Sequence, residues 1–160
     1  MARFLVTGGA GFIGGHLVRS LLADGGDVEV VDDLSIGRRS NVPEGAELIE
    51  VDLGSDDATA SLPDHHYDAV LHLAGQSSGE KSFDDPIHDL DANARSTLAL
   101  ALWARGRGVP VFLHASSMGT RSCIGGCNEG CFDSMALARI YMYDGDDLIA
   151  DAETSDLIVI

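Results

Sequence analysis

Gly8, Gly11 and Gly14 recur at every third position of the stretch Thr7-Gly8-Gly9-Ala10-Gly11-Phe12-Ile13-Gly14. Glycines so spaced let a backbone turn tightly and approach a ligand that any β-carbon would hold off. Asp32-Asp33 closes the next apolar run, and Asp52 closes the run after that. A carboxylate placed like Asp32 can accept hydrogen bonds from both hydroxyls of an adenosine ribose. It would also repel a 2′-phosphate, which favours NAD over NADP. Arg38 and Arg39 stand nearby and could serve a 2′-phosphate instead. The plain alternatives are a strand-end cap for Asp32 and a solvated strand-end acid for Asp52. The chemistry on offer is dinucleotide binding, with pyrophosphate on the glycine turn and ribose on Asp32.

The elements that must hold these residues alternate. Phe4-Leu5-Val6 leads into the turn, so residues 3–7 read as a strand. Ile13, Leu17, Val18, Leu21 and Leu22 make 12–24 an amphipathic helix, closed by Asp24-Gly25-Gly26. That helix would aim its unpaired N–H groups, and the positive end of its dipole, above the strand. Val28-Glu29-Val30-Val31 reads as a second strand, buried on both faces. Residues 48–51 read as a third strand, 69–73 as a fourth, 111–114 as a fifth and 157–160 as a sixth. A short helix is expected at 55–62, broken by Pro63, and a long one from about Pro86 to Arg105. Strand and helix at this spacing predict an α/β fold. It is a doubly wound parallel sheet in the Rossmann manner, one domain over 1–160.

The formal net charge is −16, from 26 acidic and 10 basic residues. Such a surface repels nucleic acid and anionic membrane, so neither is an expected partner. Asp outnumbers Glu, and Lys81 is the only lysine among the bases. That bias is of the kind high-salt adaptation produces, although Arg over Lys also follows from a GC-rich genome. No stretch approaches the ~20 apolar residues that span a bilayer. Met1-Ala2-Arg3 runs straight into a strand pattern rather than a signal peptide's apolar core, so a cytoplasmic location is expected. Cys123, Cys127 and Cys131 crowd one stretch. Their odd number argues against a disulfide framework, and their spacing is not that of the usual metal-binding pairs. No metal site is expected. His65 and His66 read as solvated loop residues, and Trp103 as packed on the sheet.

Four motifs occur in order: residues 7–14, then Val31-Asp32-Asp33-Leu34-Ser35-Ile36-Gly37-Arg38, then His72-Leu73-Ala74-Gly75, then Asn93-Ala94-Arg95-Ser96-Thr97-Leu98. Together they resemble the extended short-chain dehydrogenase/reductase family. The likeness is greatest to its NAD-dependent epimerases and dehydratases of sugar nucleotides, over residues 1 to about 117. The resemblance implies NAD as cofactor. It implies that Phe12 and Ile13, beside Gly14, meet the pyrophosphate through backbone N–H groups. Asp32, Asp33, Leu34, Ser35 and Gly37 would surround the adenosine ribose, and Asp52 and Leu53 would bracket the adenine. Leu73, Ala74, Gly75 and Gln76 would line the path to the nicotinamide ribose. Asn93 would brace the site, and Ser117 would hydrogen-bond the reacting sugar hydroxyl.

In that family a tyrosine serves as base, and a lysine one helical turn on favours its phenolate. Tyr143, or Tyr141, stands in the tyrosine's place, but Asp147 and Gly145 stand where the lysine would be. A carboxylate there would raise the tyrosine pKa. Residues 118–142 read as foreign to the family pattern, as a shifted or rearranged reading frame would produce. Weakly family-like sequence resumes over 143–160. The family's substrate-binding half has no counterpart in these 160 residues. The expected function is therefore the NAD-binding part of a sugar-nucleotide epimerase or dehydratase, incomplete for catalysis. The alternative is a non-catalytic dinucleotide-binding module. A nucleotide sugar is the implied partner once a substrate domain is present. The family's usual homodimer is in doubt, because its main partner helix would hold the tyrosine and lysine.

Overall fold

Leu5 and Val6, neighbours on strand β1 (Arg3–Thr7), enter two different apolar layers. A strand covered on both faces requires that alternation. The computed structural model describes residues 1–114 and places β1 at the centre of a five-stranded sheet. Beside it on one side lie β2 (Asp27–Asp32) and then β3 (Ala46–Glu50). On the other lie β4 (Ala69–His72) and then β5 (Val111–His114). The order is β3-β2-β1-β4-β5 and every pair is parallel. The sixth strand foreseen at 157–160 lies outside the described residues.

Helix α1 (Phe12–Ala23) covers one face, packing Leu17, Val18, Leu21 and Leu22 on Val6, Val28 and Val30. It ends as its sequence foretold. Gly25 takes a φ of +81°, and the Gly25 and Gly26 N–H groups donate to the carbonyls of Leu22 and Leu21. The other face buries Leu5, Val31 and Val70 against Leu100, Ala101, Trp103 and Ala104 of α4 (Ser96–Gly106). The sheet is thus wound on both sides, the Rossmann arrangement read from the sequence.

Three local expectations need correcting. The helix at 55–62 contracts to a single 3₁₀ turn, Ala58–Ser61. The strand read over 48–51 runs from Ala46 to Glu50. The long helix begins as α3 (Pro86–Leu90) and ends as α4, but a π turn, Asp91–Arg95, interrupts it. The cause is local. Ser96 Oγ and Thr97 Oγ1 donate to the Ala92 and Asn93 carbonyls, both at 2.6 Å, and compete with the main-chain ladder. A further helix, α2 (Gly79–Asp84), carries no apolar period and was not foreseen.

At the amino end of the sheet, His65 is an exposed loop residue, as its sequence context implied, but it also takes a partner. Its Nδ1 lies 2.7 Å from Glu29 Oε1, and Tyr67 donates its hydroxyl to Glu29 Oε2. Glu29 is only 4% exposed, so it needs those partners. Trp103 packs in the layer against the sheet as expected, with the Tyr67 ring 5.9 Å away, centroid to centroid, and Arg107 over its face.

Candidate functional site

A parallel sheet presents the carboxyl ends of its strands on one edge. Where connections leave in opposite directions, a crevice opens. Here that point lies between β1 and β4, and a cleft of about 230 Å³ occupies it. β1 supplies the glycine turn. Gly8 takes a φ of +69°, and a β-carbon on it would stand 2.7 Å from the Ala74 nitrogen. The Gly8 N–H donates to Val31 O at 2.8 Å and its carbonyl accepts from Gly11, which ties the turn to β2. Gly14 lies so close to the Gly8 carbonyl that no side chain fits there. Helix α1 opens from Gly11 with no side-chain cap and no acidic residue in its first turn. Its leading N–H groups lack intrahelical partners, and no acidic residue of the helix's own first turn offsets the positive end of the dipole.

Asp32, at the end of β2, is 8% exposed. Its Oδ2 accepts from the Ala10 N–H and its Oδ1 from the Leu34 N–H, both at 2.9 Å. An ionised carboxylate offers about four lone-pair sites. Two are spent on the backbone, and the remainder stay available on the cleft side. Leu34 holds a φ of +59°, which a side chain of its size rarely adopts. Its bond to Asp32 compensates that conformation. Asp33 accepts from the backbone N–H and the hydroxyl of Ser35.

The cleft brings together Gly8, Gly11, Asp32, Asp33, Ser35, Gly37, Asp52, Leu53, Leu73, Ala74, Gly75 and Gln76. All of these were expected from the sequence. Asp52 is exposed, its Oδ1 accepting from Gly54 N–H at 2.8 Å, while Leu53 is buried with the core beneath. Phe12 and Ile13 turn their side chains to solvent, 80% and 64% exposed, so only their backbone faces the turn. Arg39 is engaged with Glu50 at 2.5 Å. Asn93 does not line the cleft. It acts through Gln76: its Oδ1 accepts the Gln76 N–H at 2.8 Å and its Nδ2 donates to Gln76 O at 2.9 Å. The Gln76 side chain points into the α2–α3 corner, its amide nitrogen sharing two protons among Ser78 O, Ser82 Oγ and Asp89 Oδ1, all within 3.0 Å.

Ile36, Val51, Gly54, Ser77, Lys81, His88 and Ala92 also line the cleft and were not singled out from the sequence. Ile36 and Val51 adjoin expected residues, which was signal enough to find them. Lys81, His88 and Ala92 arrive on α2, α3 and the π turn, whose approach depends on the Gln76 contacts. Ser117, Tyr141, Tyr143, Asp147 and the three cysteines lie outside the described residues. Among the described residues, no group of three or more His, Cys, Asp or Glu side chains is arranged to hold a metal ion.

Sheet order, switch-point cleft and glycine turn define the class: a Rossmann domain. The sequence model of the NAD dependent epimerase/dehydratase family matches residues 4–136, and the chain belongs to that family. It is similar to a UDP-glucose 4-epimerase of Mycolicibacterium smegmatis, 42% identical over 123 residues, a match that covers 74% of this chain and 39% of that protein. The chain spans about two fifths or less of the first relatives it matches. Among solved structures it is similar to a Thermus thermophilus UDP-glucose 4-epimerase in complex with NAD. The identity is 32% and the TM-score 0.74, over 98% of this chain and 53% of that one. A Thermotoga maritima UDP-glucose 4-epimerase with UDP-glucose is 36% identical with a TM-score of 0.67, over 71% of this chain and 37% of that one.

Proposed function

We propose that this chain binds NAD in the β1–β4 cleft, as the cofactor-holding part of an epimerase or dehydratase of nucleotide sugars. The observation that carries the reading is Asp32. It is fixed by two backbone donors and retains acceptor capacity toward a cleft that Gly11, at the uncapped start of α1, also lines. Such an arrangement takes a ribose on one side and a pyrophosphate on the other. The residues present fit the group. A β-carbon at Gly8 or Gly14 would run into the backbone of Leu73–Ala74 or of Gly8–Gly9 and so deform the turn that receives a diphosphate, and the carboxylate of Asp32 disfavours a 2′-phosphate.

The bound nicotinamide supplies a hydride acceptor and donor. The chain's own residues bind and orient it. The α1 N-terminus holds the diphosphate, Asp32 the ribose hydroxyls, and Asp52 and Leu53 the edge and face of the adenine. The strip Leu73–Gln76, clamped by Asn93, lines the way to the nicotinamide ribose. Ser117 and Tyr143 are assigned the sugar hydroxyl and its proton by the family pattern. Nicotinamide dinucleotides are intracellular cofactors, which supports a cytoplasmic setting.

Calorimetry tests the reading. NAD should bind with NADP weaker, and Asp32→Ala should abolish the preference and most of the affinity. A folded chain that takes up no NAD would refute it. A second reading, a dinucleotide-binding module without turnover, is favoured by the sequence after Lys81, which contains no lysine. An assay with UDP-sugars and NAD separates the two, because clear epimerase turnover excludes the module.

A further inference from the structure

His72 ends β4 completely buried, between a threonine of β1 and a threonine of α4. Its Nδ1 lies 2.6 Å from Thr7 Oγ1 and its Nε2 lies 2.9 Å from Thr97 Oγ1. The proton on each link can be assigned. Thr97 has one hydroxyl proton and donates it to Asn93 O at 2.6 Å. Toward His72 it therefore accepts, so Nε2 carries the imidazole proton and Nδ1 is a bare lone pair. Thr7 in turn must donate to Nδ1, and its oxygen accepts the Ala74 N–H at 3.2 Å. The opposite tautomer would force Thr97 to surrender the Asn93 carbonyl. The imidazole also stacks on His114, ring centroids 5.1 Å apart, which restrains its plane.

These links close a circuit. Ala74 N–H bonds Thr7, Thr7 bonds His72, His72 bonds Thr97, Thr97 bonds Asn93, and the Asn93 amide grips both polar atoms of the Gln76 backbone. The covalent strip Ala74-Gly75-Gln76 completes it. That strip is the β4 wall of the cleft and packs on the glycine turn without slack, since Gly8 has no room for a β-carbon against Ala74. We propose that His72 is a positioning residue for the cofactor cleft: as the Nε2–H tautomer it couples Thr7 to Thr97 and so fixes both ends of the Ala74–Gln76 strip. The proposal rests on the NAD reading only where affinity is the readout.

The test uses the whole chain and has two readouts independent of cofactor. In protein labelled with ¹⁵N at histidine, His72 shows a protonated Nε2 and an unprotonated Nδ1; a protonated Nδ1 overturns the proposal. In Thr97→Val, the Gln76 and Ala74 amides exchange with solvent about tenfold faster and NAD binds about fivefold more weakly, as loss of one buried hydrogen bond implies. Thr97→Ser, which keeps the hydroxyl, restores both to within about twofold of the unaltered chain. Unchanged amide exchange in Thr97→Val overturns the positioning role whether or not NAD binds. If the unaltered chain takes up no NAD, the cofactor reading fails while exchange and tautomer still decide this one. If Thr97→Val does not fold, the tautomer decides alone.

Discussion

A β-carbon on Gly37 would stand 2.6 Å from Asp32 Oδ1. The main chain after β2 therefore folds back directly onto the carboxylate that faces the cleft, with Ala10 Cβ on the other side at 2.9 Å. Gly37→Ala must push that carboxylate or the glycine turn aside. The expected result is about a tenfold loss of NAD affinity, roughly 1.4 kcal/mol, with the fold retained. Calorimetry with a parallel thermal melt measures it, and unchanged affinity would show that Asp32 does not contact the ligand.

Asp32→Asn leaves one acceptor oxygen where two backbone donors need one each. Either the Ala10 or the Leu34 N–H loses its partner in a buried setting, which costs about 1–3 kcal/mol. Loss of the negative charge also removes the bias against a 2′-phosphate. Urea unfolding should show the destabilisation, and the NADP-to-NAD affinity ratio should rise. A ratio that stays fixed would assign the preference elsewhere.

His72 makes the fold sensitive to acid. Complete burial, with His114 adding to it, pushes its pKa down to about 3. The unfolded chain takes up a proton there near pH ~6.5, and the folded one does not. Stability fully present above pH ~6.5 is therefore lost as pH falls toward 3. The loss is about 2 kcal/mol by pH ~5 from this group alone. Burial lowers the His114 pKa as well, with the same sign. Urea midpoints measured from neutral to mildly acidic pH should fall more steeply in the unaltered chain than in His72→Gln. Parallel slopes would exclude His72 as the cause.

At the far end of the sheet, Tyr67→Phe removes a donor from the buried Glu29 carboxylate. The expected cost is about 1–3 kcal/mol in unfolding free energy, with NAD affinity unaltered. Pairing it with Glu29→Val removes both polar partners and should recover part of the loss. A double variant no more stable than the single would place the energetics in the His65 contact instead.

The alternation of apolar runs with glycine turns made the five described strands and α1 legible to within a residue or two. Burial on both faces leaves little freedom in what such strands can be. The cleft lining contributed by β1, β2 and β3 was equally legible, because glycine spacing and strand-end acids act locally. Three features were not. α2 has no core face, its Phe83 being 90% exposed, and it is held by contacts from Gln76 and Ser78 that no periodicity encodes. The π turn at Asn93 arises from hydroxyls at Ser96 and Thr97 that read in sequence as ordinary helix residues. His72 lies in an apolar strand, and its partners stand 65 and 25 positions away. Each depends on pairing across the fold rather than on neighbours in the chain.

The position of β1 between β2 and β4 has a consequence for how the protein comes off the ribosome. The strand that carries the glycine turn is synthesised before its sheet neighbours, and β2 can join it after one helix. Its other neighbour is encoded at residues 69–72, and the amide that clasps the wall beyond it only at Asn93. Until that point has emerged, the nascent chain exposes an unpaired strand edge beside its most glycine-rich segment, the kind of surface chaperones shield. A strand made before its neighbours is thus closed only after most of the described sheet has been made.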